Sequence, residues 1–154
     1  MSTLQKYSCN LSFQIKKYLS KEKETYVPSP KIPVKKAINK IQENGGATSL
    51  AHPGRSLTKN QAQQIIPELK QKGLDAIEVK YTYQQKKNIS SININFKEKY
   101  ADKLAEKHNL LKTGGSDCHG SGTDKYLIGQ TKIDNEKVEK IREKSRKHRE
   151  NQKR

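Results

Sequence analysis

From Pro33 onward, apolar positions alternate between helical spacing and short extended runs. Val34, Ala37, Ile38 and Ile41 recur at i, i+3, i+4 and i+7, the signature of one buried helix face. Pro33 suits the start of that helix, where its missing N–H would have no partner anyway. Asn44-Gly45-Gly46 stops it, because glycine adopts the left-handed cap conformation cheaply. "ATSLA", residues 47–51, then reads as a strand running straight into His52-Pro53-Gly54-Arg55. Thr58 is placed to cap a helix through "KNQAQQII". Pro67 is expected to break it and restart a second short helix, "PELKQK", closed by Gly73.

The pattern continues with "LDAIEVKY" as a strand, Ile77 and Val79 on one face, Ala76 and Glu78 on the other. "ISSININF" alternates like a strand while "FKEKYADKLAEKHN" is helical, and a long helix from 93 to His108, capped by Asn109, is the expectation. "LLKTGG" is a brief strand that delivers Ser116-Asp117-Cys118-His119 into a loop, and "YLIGQTKI" is a further strand. The last stretch is a charged helix with a thin apolar stripe, Val138 and Ile141, fraying into a basic tail in which His148 is expected to be solvated. His108, at a helix end, is expected to serve the helix dipole or the surface. Upstream, "SFQIKKYL" (12–19) fits a short amphipathic helix carrying Phe13, Ile15 and Leu19, and "YVPSPKIP" interrupts it with three prolines. Strands alternating with helices predict an α/β fold with parallel strands. Three stretches are expected: a lead-in over 1–32, the main body over 33–134 and a charged helix with its tail over 135–154.

Composition changes this picture in two ways. Hydrophobic and charged residues each make up 31% of the 154-residue chain, and mean hydropathy is -1.06. A single folded domain with wet margins fits both the length and the periodic apolar clusters. Lys and Arg number 32 against 16 Asp and Glu, a formal charge of +16, which attracts polyanions. The aromatics (Phe 2, Tyr 7, Trp 0) form no stacking ladder among the lysines, so a dedicated nucleic-acid-binding module is the weaker reading. No apolar run approaches the roughly 20 residues of a membrane span. The opening "MSTLQKYSCN" has no hydrophobic signal core, and Cys9 and Cys118 lie far apart, so a reduced, cytoplasmic protein is expected.

The chemistry concentrates in "TGGSDCHG", residues 113–120. If this stretch is extended, Asp117 and His119 point to the same side and Cys118 faces away into packing. Imidazole nitrogen with carboxylate oxygen suits Zn, Mn or Fe. Gly114 and Gly115 let the backbone turn sharply and approach a ligand. The alternative is an aspartate capping the next helix beside a surface histidine. His52 also follows a strand, where such folds place reactive groups.

"GGATSLAHPGRS", "GLDAIEVKY" and "LLKTGGSDCHG", in this order and spacing, resemble the later motifs of the polymerase-and-histidinol-phosphatase (PHP) family of metallo-phosphoesterases. "FQIKKYLSKEKETYVP" resembles the segment before the A-H-P-G motif in the subgroup acting on nucleoside 3',5'-bisphosphates and short RNAs, and the likeness runs over residues 13–131. The resemblance implies part of a distorted (β/α)7 barrel with a cluster of up to three divalent metal ions at its strand ends. It implies that His52, Asp117 and His119 are metal ligands, with no catalytic group beyond them. Arg55 is placed to clamp a phosphate with two guanidinium hydrogen bonds, and Ser116 to donate to a phosphate oxygen. The implied reaction is metal-assisted hydrolysis of phosphate esters of nucleotides or short RNA. The family's opening H-x-H and T-D-H-type motifs have no counterpart among His52, His108, His119 and His148. The chain thus reads as the C-terminal half of such a domain. An inactive fragment needing a partner N-terminal half, or a basic nucleic-acid-binding protein, are the alternatives.

Overall fold

The structure is a computed structural model that describes residues 18, 20–28, 30–81, 95–118, 128–129 and 131–152. The chain divides into two units, Met1–Ile32 and Pro33–Arg154. In the first, the amides of Lys23 and Tyr26 donate to Ser20 and Lys23 carbonyls at 2.9 Å each, and the Thr25 hydroxyl donates to the Tyr18 carbonyl. Residues 12–17 and 19 of the expected N-terminal helix lie outside the described residues.

The second unit runs α1 (Val34–Glu43), β1 (Ser49–Leu50), α2 (Pro53–Ser56), α3 (Lys59–Gln71), β2 (Ala76–Tyr81), α4 (Glu98–Lys107), β3 (Leu111–Gly115) and α5 (Asn135–Asn151). The three strands form one sheet in the order β1-β2-β3, parallel throughout. The predicted α/β class with parallel strands therefore holds, and among the described residues the sheet is open.

The core forms where helix stripes meet β2. Ala62, Ile66 and Leu69 of α3 and Ala101, Leu104 and Ala105 of α4 pack with Ile77 and Val79. Ile66, Ile77 and Val79 are each 2% exposed or less. Burying such side chains contributes roughly 1.5–3 kcal/mol each. α3 starts as its sequence predicts: the Thr58 hydroxyl accepts from the Gln61 N–H at 3.2 Å, and the Gln61 side chain accepts from the Thr58 N–H at 2.9 Å, a reciprocal cap.

Several expectations are corrected. α3 does not break at Pro67 but continues to Gln71. Proline removes one helical hydrogen bond, while Ala62, Ile66 and Leu69 keep an unbroken buried stripe on both sides of it. On α1 only Ile38 is buried; Val34 and Ile41 remain nearly half exposed, and the helix packs on the polar α5. α4 begins at Glu98 rather than 93, is capped by His108 and leads into Asn109 at φ 49°. His108 is half-buried, with a buried Nε2 that has no hydrogen-bond partner among the described residues. Ile128 and Gly129 of the expected "YLIGQTKI" strand form a turn, since Gly129 takes φ 79°, outside strand geometry. Residues 126, 127 and 130 lie outside the described residues.

The C-terminal helix differs most from expectation. α5 packs against α1 and β3, and His148 is not solvated. Its Nε2 lies 3.0 Å from Asp75 Oδ1, with the histidine side chain 14% and the aspartate side chain 2% exposed. The stripe that seats α5 is mixed: Ser145 donates to the Gly45 carbonyl and Gln152 to the Gln42 carbonyl, the latter at 2.6 Å. Apolar periodicity alone cannot reveal such a polar contact face.

Candidate functional site

The C-terminal ends of the strands bring together residues from three distant stretches. β1 leads into His52, which caps α2 and sits at φ 29°, a left-handed conformation unfavourable for a side chain with a Cβ. Its backbone N–H donates to Glu78 Oε2 at 2.6 Å, and its ring meets that of Tyr81 edge-on with centroids 5.5 Å apart. The imidazole Nδ1 lies 3.3 Å from Ser56 Oγ.

Glu78 and Tyr81 both reach His52 although they are three positions apart, which in a regular strand would send them to opposite faces. A register shift between Glu78 and Lys80 resolves this: Glu78 pairs with Thr113, Lys80 with Gly114 and Tyr81 with Gly115. The extra residue in β2 is a bulge, and it brings Tyr81 onto the face of Glu78. Glycine on β3 is required for that geometry. A Cβ on Gly114 would stand 2.7 Å from Lys80 Cβ and 2.8 Å from the Lys80 carbonyl oxygen, and one on Gly115 3.3 Å from Glu78 Oε1.

Beyond β3, Asp117 takes φ 53°, so the "SDC" stretch is not extended and the same-side expectation for positions 117 and 119 loses its premise. Asp117 Oδ2 accepts from Tyr81 Oη at 3.0 Å and from Arg55 Nη1 at 3.4 Å, and Arg55 also donates to Tyr81 Oη at 2.8 Å. Arg55 and Asp117 side chains are each 24% exposed, so the pair is partly desolvated but reachable. Ser116 and Cys118 are half-buried beside it, and His119 lies outside the described residues.

Burial pushes the Glu78 carboxyl above its usual range, and the Asp117 charge adds to this, while the His52 amide and ring oppose it. Burial likewise raises Tyr81, with Arg55 opposing and Asp117 reinforcing. Two carboxylates and an imidazole thus lie half-buried at the strand ends, with Arg55 the cation beside them. One nitrogen and several oxygen donors fit the chemistry of Zn, Mn or Fe. Among the described residues no three His, Cys, Asp or Glu side chains are grouped tightly enough to hold one ion.

Glu78 and Tyr81 were missed as site residues. A carboxylate inside the apolar run "AIEV" is a legible signal, since buried charge needs a reason. Tyr81 gave no such signal, because its direction depends on the bulge.

Comparison with known proteins bears on the family of the chain. Over 105 residues the chain is 31% identical to the 5'-3' exoribonuclease Rnm of Escherichia coli (strain K12), covering 68% of this chain and 33% of that protein. The Rnm of Salmonella typhimurium (strain LT2) matches with the same identity and coverage. The chain thus spans about a third of the length of the curated relatives it matches. A solved structure described as a candidate metal-dependent phosphoesterase, from Bifidobacterium adolescentis ATCC 15703, superposes with a TM-score of 0.61 at 25% identity, over 81% of this chain and 41% of that one. No protein-family profile matches the chain. Sequence and fold together make the chain a relative of the PHP phosphoesterases over part of their length.

Proposed function

We propose, with kinship to the PHP phosphoesterases as the premise, that this chain carries part of a metal-dependent centre hydrolysing phosphate esters of nucleotides or short RNA. The observation that supports it best is the convergence of His52, Arg55, Glu78, Tyr81 and Asp117 at the C-terminal ends of parallel strands. Such ends are where α/β folds hold reactive groups. In this reading the sheet is part of a distorted (β/α)7 barrel, the main body spans 33–134 between the 1–32 and 135–154 segments, and the protein works in the cytoplasm.

His52, Asp117 and His119 would hold divalent metal (Mn, Zn or Fe), with up to three ions in a complete centre. Metal bound there would lower the pKa of water to about 7 and polarise a phosphoryl oxygen. The chain's own residues bind and orient. The Arg55 guanidinium, now shared by Tyr81 and Asp117, offers a planar fork that suits two phosphate oxygens. Ser116 supplies a hydroxyl donor next to it. Tyr81 aims the Asp117 carboxylate through its Oη–H, and Glu78, whose proton is held more tightly than usual, orients the His52 loop through the amide bond.

A second reading, a fragment inactive until a partner N-terminal half completes the site, is favoured by the lack of a three-donor group among the described residues. Metal content and phosphate release from a nucleoside 3',5'-bisphosphate and a 5'-phosphorylated short RNA, measured on one preparation, separate the two. Metal-stimulated release by the chain, lost in Asp117→Ala and His119→Ala, is the expected result. Release only after a separate N-terminal half is added supports the second reading. Salt-sensitive RNA binding untouched by both substitutions, with no release in either case, would leave a basic binding protein.

A further inference from the structure

A second feature lies beside the candidate site, on the surface formed by the start of α3 and the start of α4. Lys59, Asn95, Phe96, Lys97, Lys99, Tyr100 and Lys103 line a concavity of about 410 Å³. Four of its seven lining residues are lysines, and none is acidic.

This sorting of charge follows from the helix itself. Lys99 and Lys103 are one turn apart and share a face of α4. Asp102 and Glu106 are each within a turn of those lysines but turn to Lys112 of β3, at 2.7 and 2.9 Å. The acidic residues of α4 are therefore spent on the sheet, and among the described residues no carboxylate pairs with Lys59, Lys97, Lys99 or Lys103.

The floor is aromatic and held in place. Phe96 is 3% exposed and meets Tyr100 edge-on with centroids 5.0 Å apart. Gln63 Nε2 donates to Tyr100 Oη at 3.1 Å, and the Lys59 ammonium stands 5.5 Å from the Tyr100 ring centroid. A basic rim around a fixed ring is the combination that takes single-stranded nucleic acid, phosphates on the cations and bases against the ring. A concavity of this size admits a nucleotide. The hollow also adjoins the site: the Asn95 N–H donates at 2.9 Å to the Gly54 carbonyl, between His52 and Arg55, and α2 packs on α4.

We propose that the Lys59–Lys97–Lys99–Lys103 hollow around Tyr100 is a binding site for the backbone of single-stranded RNA, leading that strand to the neighbouring strand-end site. Only the last clause rests on the phosphoesterase reading; the affinity of the hollow does not.

The test uses the full chain, a short fluorescent single-stranded RNA and excess chelator, so that binding is read by anisotropy without hydrolysis. The double variant Lys99→Glu/Lys103→Glu is compared with Lys21→Glu/Lys36→Glu, which removes the same charge at exposed positions elsewhere, circular dichroism checking that both fold. The groove pair should weaken binding by about tenfold or more, the control pair by less than about threefold, and the groove pair alone should flatten the log–log salt slope by about 1.4, or 0.7 for each lost phosphate contact. Tyr100→Leu, which keeps every charge, should also weaken binding. Equal loss in both double variants would reduce the effect to bulk charge and overturn the proposal. Competition by inorganic phosphate or by poly-glutamate as strong as by RNA would do the same, the first indicating a single-phosphate site and the second a peptide site. Groove-dependent binding in a chain that releases no phosphate sinks the catalytic reading alone; release that persists in the groove variant with unchanged RNA affinity sinks the groove alone.

Discussion

The two ends of the sheet carry nearly the same chemical groups in opposite conditions. At the N-terminal end Asp75 stands with His148 and Lys144; at the C-terminal end Asp117 stands with Arg55, Tyr81 and His52. Asp75 is 2% exposed and saturated. Its Oδ2 accepts from Gln42 Nε2 at 3.1 Å, the Thr48 N–H at 2.9 Å and the Thr48 hydroxyl at 3.0 Å, while Oδ1 faces His148. Asp117 is 24% exposed and, like His52, sits at a positive φ. A fully bonded and inaccessible aspartate anchors; a reachable one at a positive φ stays open to solvent. The first network ties α1, β2 and α5 together, which explains how so polar a helix as α5 stays docked.

The comparison breaks most directly at the two aspartates. Asp75→Ala should destabilise by about 3–5 kcal/mol, because it strands buried partners around an empty position. Asp117→Ala should stay within about 1 kcal/mol, being a half-exposed pair. Urea unfolding of both variants checks this, and similar losses would erase the distinction. Next in size, Gly114→Ala should cost about 1–3 kcal/mol, because the new methyl has no room against the Lys80 backbone. A neutral result would mean the bulge can relax, and with it the aim of Tyr81.

Smaller, and opposite in sign, is Asp117→Gly, which removes the left-handed strain and should raise stability by about 0.5–1 kcal/mol while abolishing any metal-stimulated phosphate release. A destabilised variant would show that the Arg55 and Tyr81 bonds outweigh the strain. The mildest effect is on acid stability. Burial raises the Asp75 pKa, but the bonds from Thr48, Gln42 and His148 more than offset it, leaving a net lowered value. The stability Asp75 adds is therefore present above the ordinary aspartate pKa of about 3.9 and lost as pH falls through the lower folded value. In Asp75→Asn that loss below about pH 4 should be reduced in acid titration followed by circular dichroism.

Much of the frame was legible because it follows from local rules. The Thr58–Gln61 cap, the helix opening at Pro33 and the parallel strands with intervening helices all come from side-chain chemistry and spacing within a few residues. The placement of His52, Arg55 and Asp117 at strand ends was legible for a different reason: strand ends are the natural place for polar loops, and their motifs are short and ordered. The Pro67 break was misread because proline's local cost is visible in sequence, whereas the buried stripe that overrides it spans the whole of α3.

By itself, then, the sequence determined the order of elements, the net charge of +16 and which residue types could bind metal or phosphate. Only the tertiary structure decided which of them meet. One extra residue in β2 brings Tyr81 beside Glu78, since side-chain direction in a strand depends on pairing register with another strand. His148 became an anchor because Asp75, 73 positions away, lies where α5 docks. The lysines of α4 around Tyr100 keep their charge open because Lys112, on a different element, takes the carboxylates of Asp102 and Glu106. Local spacing sets what a side chain is; long-range pairing sets what it touches.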